Sequence, residues 1–337
     1  MKILLTRRVA ALRILVISIL TCLGSQATAQ TTNNKAPVAP ASLPGNGLKR
    51  FDFFYAGEAK SRNMYIIKGG QITWSYIDTT GRGEISDAIL MRNGDILFAH
   101  QYGVTLINKD KKVLWKYEAP EGFETHTAQP VGKDHVVLVQ NGKPAKVFVY
   151  NIKSNKAVKE FELPFKSGTH GQIRHARLTA EGTLLVAHMD LGKVNEYDLN
   201  GKLLSSIDVP SVWSAVPLKN GNLLTASNEN VVREITRTGK VVWDYPLAGV
   251  DAYKITNPQI AVRLPNGNTL INNWFNQWSG KLDVSNAPVQ AIEVTPDKKI
   301  VWALRSWSAP DLGPSTTIQL LDDPNNTYET VHFGDIK

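Results

Sequence analysis

Five nine-residue stretches decide the fold: Ser86-Asp-Ala-Ile-Leu-Met-Arg-Asn-Gly94, His126-Thr-Ala-Gln-Pro-Val-Gly-Lys-Asp134, Arg174-His-Ala-Arg-Leu-Thr-Ala-Glu-Gly182, Trp213-Ser-Ala-Val-Pro-Leu-Lys-Asn-Gly221 and Gln259-Ile-Ala-Val-Arg-Leu-Pro-Asn-Gly267. They superimpose without a gap, and the third residue is alanine each time. Self-similarity at a fixed period, with a short strand running into a turn, marks a repeat architecture. Ser315-Thr-Thr-Ile-Gln-Leu-Leu-Asp-Asp323 aligns as a sixth copy, with Thr317 in the alanine column.

Outward from these stretches the pattern stays β. Each turn leads into a second strand, as in residues 95–99, 183–187, 222–226 and 268–271, and then a third, as in 104–108, 147–151, 194–198, 231–236 and 290–295. A charged or glycine-containing turn follows, then an outer strand with a recurring tryptophan: Val113-Leu-Trp115, Val241-Val-Trp243 and Ile300-Val-Trp302. Four strands in about 40 residues make one propeller blade. Residues 51–56, 63–68 and 71–76 supply three strands with no inner strand before them. A C-terminal inner strand that completes this N-terminal blade closes the ring without an open edge. The fold expected is therefore all-β, a six-bladed β-propeller of four-stranded antiparallel blades. Alanine suits the crowded axis, and the tryptophans suit the wide outer wedge between blades.

A chain of 337 residues, 42% hydrophobic, has enough apolar surface for one large β domain. Lys2, Arg7, Arg8 and Arg13 precede an apolar run from Ile14 to Leu23, and Ala27-Thr-Ala29 then offers small residues for cleavage. Residues 1–29 read as a secretory leader. Cys22, the only cysteine, offers an alternative, a lipid anchor, although Thr21 replaces the small residue that normally precedes such a cysteine. Residues 30–47, rich in Thr, Asn, Pro and Ala, read as a flexible linker, and 48–337 as the propeller. The organisation predicts export to a periplasmic or extracellular location as a monomer. Without the four basic residues of the leader, 34 basic residues face 30 acidic ones, a net charge of +4 with no basic run. That excludes a nucleic-acid footprint, and no segment after the leader is long and apolar enough to span a bilayer.

The residues just before the alanine should lie at one mouth of the channel, where they need not pack. Two positions before it stand Ser86, His126, Arg174, Trp213, Gln259 and Ser315; one position before it stand Asp87, Thr127, His175, Ser214, Ile260 and Thr316. Loops between second and third strands should open on the same face and carry His100-Gln-Tyr102 and His188-Met-Asp190. The last full blade has an insertion, Asn272-Asn-Trp274-Phe-Asn-Gln-Trp278-Ser-Gly280, and Trp307 enters the closing strand. Flat aromatics beside His, Arg and amides suit a sugar, which stacks its C–H faces and hydrogen-bonds its hydroxyls. His126, Arg174 and His175 are the candidate catalytic groups; Asp87, Trp213, Gln259, Thr316, Tyr102, His188, Trp274, Trp278 and Trp307 are the candidate ligand contacts. Each also has a plainer role: Asp87 as a turn cap or a partner of Arg174, His126 and His175 as buried core histidines, and His170 as a loop former. No metal site is expected, because a lactonase-like channel would gather several carboxylates.

The phrases Asp110-Lys-Lys-Val-Leu-Trp115, Thr238-Gly-Lys-Val-Val-Trp243 and Pro296-Asp-Lys-Lys-Ile-Val-Trp302, with Pro265-Asn-Gly-Asn-Thr-Leu270, resemble the repeats of pyrroloquinoline-quinone-type (PQQ) and arylsulfotransferase-like propellers. The resemblance covers most of residues 50–323 and concerns the packing part of the blade. It implies the propeller fold. PQQ binding is not expected, since the vicinal cysteine pair and acidic metal ligands that often accompany it are missing and Asp87 is the only carboxylate in the ring. The arylsulfotransferase-like resemblance implies a channel histidine as nucleophile, with His126, Arg174 and His175 imitating that charge pattern. Three readings follow: an exported binder of a carbohydrate or similar polar ligand; a histidine-dependent lyase or hydrolase of acidic glycans, with Arg174 neutralising a uronate; and an envelope protein–protein interaction scaffold. No cofactor is expected.

Overall fold

The computed structural model describes residues 42–322, apart from 59–61, 80–82, 133, 167, 248–252 and 277–281. The leader, Cys22, residues 30–41 of the linker and Trp278 lie outside the described residues.

Among the described residues, β-branched and aromatic residues in short runs, cut by Asn-Gly and similar turns, form 24 strands in six four-stranded antiparallel sheets. Blades 2 to 6 each use four consecutive strands, with inner strands Ile85–Leu90, Glu124–Val131, Ile173–Leu178, Val212–Pro217 and Asn257–Arg263. Blade 1 joins the two chain ends: Ser315–Leu320 pairs antiparallel with Phe53–Glu58, which continues into Arg62–Lys68 and Gln71–Asp78. The expected six-bladed, C-terminally closed propeller is the observed fold. Among the described residues no helix is long and apolar enough to cross a membrane. Residues 42–47, read from sequence as linker, lie against blade 6, where Pro44 accepts a hydrogen bond from the Ala303 amide and Gly47 one from the Trp302 indole.

The register explains the alanine column. An inner strand has one unpaired edge, and a row of bare N–H groups there would be costly in a dry interior. Side chains of the preceding blade satisfy it on half of the ring. Thr317 Oγ1 accepts from Ala88 N at 3.3 Å, Asp87 Oδ2 from Ala128 N at 3.3 Å, and Thr127 Oγ1 from Ala176 N at 3.1 Å. Two residues further on, Gln319 Oε1 takes the Leu90 amide and Gln129 Oε1 the Leu178 amide. Alanine leaves room for these reaching side chains.

Two expectations change here. The residues immediately before the alanines do not stand at the mouth: Asp87, Thr127, His175 and Ser214 are all at most 2% exposed. In the closing strand, Thr317 pairs with Ala56 as Asp87 pairs with Ala99, so Ile318, not Thr317, occupies the alanine column. The run Ser-Thr-Thr allows either alignment by sequence, and strand pairing selects one.

Outer strands fasten blade to blade as well as filling the wedge. Trp74 Nε1 donates to Lys109 O, Trp115 Nε1 to Asn155 Oδ1 and Trp243 Nε1 to Pro296 O, each in a turn of the following blade. Trp115 is buried and its indole N–H needs such a partner, while half-buried Trp74 and Trp243 use the same bond at the rim, so the repeated tryptophan both packs and links blades.

Candidate functional site

Every inner strand carries a β-bulge where its first-column residue stands. The partner register skips Ser86, His126, Arg174 and Trp213, skips Gln259 with Ile260, and in the closing strand skips Thr316. A bulge turns its side chain away from the ladder, which frees these positions from the packing that governs the rest of the strand. Ser86, His126, Arg174 and Trp213, from four successive blades, thereby meet at one end of the ring.

His126, its side chain fully buried, is the hub. Its Nε2 lies 2.9 Å from Glu124 Oε2, and its Nδ1 lies 2.9 Å from Ser86 Oγ, 3.1 Å from Arg174 NH1 and 3.3 Å from Glu84 Oε1. Arg174 NH1 also donates to Glu84 Oε1 at 2.6 Å, and NH2 meets His170 Nε2 at 2.5 Å. Glu124 Oε2 accepts from His170 Nδ1 at 2.9 Å, and Oε1 from Gln101 Nε2 at 2.8 Å. Burial alone would raise the Glu124 pKa; the hydrogen bonds from His126, His170 and Gln101 outweigh it and hold this carboxyl well below the usual carboxylate range. Glu124 is thus ionised, and an ionised carboxylate only accepts. In its neutral form each imidazole therefore carries its proton on the nitrogen facing Glu124, and His126 Nδ1 and His170 Nε2 then face the Arg174 donors as acceptors.

Backbone geometry delivers the two glutamates. Gln101 N donates to Glu84 O at 3.0 Å and Gln101 O accepts from Thr125 N at 2.8 Å, so one loop residue ties together the starts of two inner strands. Gly83 has φ +83°, and a Cβ there would stand 2.7 Å from Gln101 Cβ; only glycine permits this approach.

A cavity of about 390 Å³ opens beside this cluster, bounded by Gly83, Glu84, Gln101, His170, Arg174, Trp213, Trp274 and Asn276. The Arg174 guanidinium lies 4.9 Å from the Trp213 ring centroid, and Trp274 stacks on Trp213 with centroids 6.4 Å apart at 26°. Arg174, Trp213 and Trp274 form a three-layer slab, held by cation–π and aromatic contact. A second cavity, of about 490 Å³, lies at the opposite end of the inner strands between blades 5 and 6. Its lining holds no histidine and no first-column residue, and its Arg263 is bonded to Glu234 at 2.8 Å and lies over Trp243. We therefore place the site at the histidine cluster.

Of the residues singled out in the sequence, the structure brings together His126, Arg174, Trp213 and Trp274. It separates the others. Asp87 does not pair with Arg174; Arg177 NH1 and NH2 each donate to it at 2.7 Å, in the dry interior. His175 is buried, with both ring nitrogens free of hydrogen-bond partners, and burial followed by the nearby Arg177 charge pushes its pKa well below 6.5. His188 is fully buried behind Tyr197 (Nε2 to Oη 3.2 Å), where burial lowers its pKa to about 4. Gln259 is 2% exposed; Thr316 is buried and donates to Ala56 O. Trp307 is buried and donates to Pro288 O, and Tyr102 stands beside Gly83 outside the cavity lining.

Sequence reasoning missed Glu84 and Glu124, took Tyr102 rather than Gln101 from the loop it placed on this face, and gave His170 only a loop role. The two glutamates stand two residues before Ser86 and His126, a spacing visible in the sequence. Asp87 is therefore not the only carboxylate near the ring. Glu84, His126 and His170 each offer one ligand atom, all within 4.8 Å of one another. The Arg174 guanidinium bonds to all three, and its fixed charge fills the place a cation would take.

No protein-family model matches the chain, and no curated protein matches it in sequence. Solved structures do match. A Bacteroides caccae protein of unknown function is 24% identical over 80% of this chain and 98% of its own, with a TM-score of 0.67. A streptogramin B lyase is 14% identical over 80% and 86%, at 0.53, and a virginiamycin B lyase from Staphylococcus aureus is 12% identical over 77% and 85%, at 0.52. At such identities the likeness establishes the propeller fold.

Proposed function

We propose that the protein is an exported propeller that binds a neutral carbohydrate, or a polar ligand of similar shape, in the cavity beside His170. The observation that carries this reading is the 390 Å³ cavity, which has the Trp213–Trp274 slab on its wall together with Glu84, Gln101, His170 and Asn276. An apolar face with convergent hydrogen-bonding groups is the pattern of a small-ligand site. Trp213 itself is covered by Arg174 and Trp274, so a sugar ring would stack on Trp274. Arg174 is engaged by Glu84, both imidazoles and the Trp213 face, and two carboxylates stand against its one charge; a uronate would have to displace Glu84. The geometry therefore favours a neutral glycan over the acidic one considered from sequence.

Calorimetry against panels of neutral and uronate-containing oligosaccharides tests this. Binding of a neutral glycan, weakened about 10-fold or more by Trp274→Ala in line with a truncated aromatic contact, is the expected outcome. Absence of binding to every member of both panels, or preference for uronates, overturns it.

A further inference from the structure

We propose that Ser86, His126 and Glu124 form a nucleophile–base–orienter triad that hydrolyses carboxylic esters entering the cavity. The three groups stand in the order such chemistry needs: Ser86 Oγ is 2.9 Å from His126 Nδ1, and His126 Nε2 is 2.9 Å from Glu124 Oε2. A weak hydroxyl nucleophile requires a base within hydrogen-bond reach and a third group that fixes the tautomer of that base. Glu124 meets the third requirement, since as an ionised acceptor it holds the proton on Nε2 and leaves the Nδ1 lone pair toward Ser86. His126 is buried and tied on both sides, so its ring cannot turn away. Ser86 is only half-buried, sits on a bulge and lies behind the cavity wall, where Glu84, 3.2 Å from its Oγ, and Arg174, bonded to Glu84, are lining residues. This goes beyond ligand binding and does not depend on the ligand being a sugar.

Arg174 supplies the remaining part. Its NH1, 3.1 Å from His126 Nδ1, shares that lone pair with Ser86 in the resting state, and its guanidinium lines the cavity, so turning NH1 from Nδ1 to the ester carbonyl would free the base and give the oxyanion a charged donor. In the first step Ser86 Oγ bonds to the ester carbonyl carbon, its proton moves to His126 Nδ1, and the carbonyl oxygen becomes an oxyanion facing Arg174. The intermediate collapses, the alcohol leaves with the proton from His126, and an acyl-Ser86 ester remains. Water then attacks that ester and gives a proton to His126. The acid departs as the proton returns to Ser86 Oγ. Glu84 Oε1, 3.2 Å from Ser86 Oγ, also accepts from this hydroxyl in the resting state, and substrate must shift that bond toward His126.

The test uses the purified full-length chain with a fluorophosphonate probe and p-nitrophenyl acetate. Expected results are a phosphonyl adduct on the peptide carrying Ser86, found by mass spectrometry, and ester hydrolysis that falls roughly 10³-fold or more in Ser86→Ala. Glu124→Gln is expected to slow both reactions by on the order of 10²–10⁴-fold while the protein keeps its circular dichroism spectrum. Since His126 is buried, Ser86→Ala is the deciding variant, as it removes one half-exposed hydroxyl. Labelling of a different serine, or hydrolysis in the wild type no faster than in Ser86→Ala, overturns the proposal. Either result is independent of whether glycans bind, so the two readings fail separately.

Discussion

Replacing Asp87 by asparagine keeps the shape of the side chain and removes its charge from the middle of the ring. Four hydrogen bonds converge on that carboxylate: two from Arg177 at 2.7 Å, one from Thr127 Oγ1 at 2.9 Å and one from Ala128 N at 3.3 Å. They join blades 2, 3 and 4, and both charged side chains are at most 3% exposed. After the substitution the Arg177 guanidinium retains neutral acceptors, among them Thr127 Oγ1 at 3.1 Å and Ala176 O at 2.8 Å, but loses the opposite charge that compensates its burial. Breaking a buried pair by removing one partner costs about 3–5 kcal/mol, because the other charge stays buried. For a domain of this size that corresponds to a Tm lowered by roughly 5–8 °C. Urea unfolding followed by circular dichroism, run on D87N, D87L, R177M and the double variant D87L/R177M, measures it. The double variant carries no orphaned charge and should be more stable than either single variant, giving a strongly non-additive cycle. A D87N cost below about 1 kcal/mol, or additive behaviour in the double variant, would refute the assignment of Asp87 and Arg177 as a structural pair.

Two further outcomes follow from buried groups. His188 titrates near 6.5 when unfolded and near 4 in the fold, mainly through burial, so the unfolded chain takes the proton first as the pH falls. Its contribution to stability is therefore intact above about pH 7 and is lost between 6.5 and 4, by on the order of 3 kcal/mol in total. Urea midpoints from pH 7 to pH 4 should fall less steeply in His188→Gln than in wild type, and parallel curves would contradict the burial assignment. Gln319 clamps the closing strand to blade 2 through Leu90, with its Oε1 accepting at 3.0 Å and its Nε2 donating at 2.9 Å. Gln319→Ala leaves both backbone groups unpaired and should cost about 1–3 kcal/mol, read by thermal unfolding; a change below about 0.5 kcal/mol would show that the seam is not held there.

The sequence by itself determined the architecture of this protein. A repeated strand–turn phrase, a small residue at the axis and a tryptophan at the rim are local patterns, and each reports directly how a residue must pack, so six blades and the closing strand were legible. The first-column residues His126, Arg174 and Trp213 could also be read as site candidates, because a position that varies beside a constant alanine is not set by packing. Tertiary structure decided what those side chains do. The bulge at each first column separates it from the second, so Ser86 and His126 join the cluster behind the cavity wall while Asp87 turns to Arg177 and His175 into the dry interior, a difference that one-residue spacing in a string of letters cannot show. Glu84, Glu124 and Gln101 enter the site through loop geometry, and Glu124 sets which imidazole nitrogen carries the proton. Ser86 and His126 stand 40 residues apart on neighbouring blades, where only the packing of blade on blade brings the hydroxyl to 2.9 Å from the imidazole, whose other nitrogen lies 2.9 Å from Glu124 on the same strand.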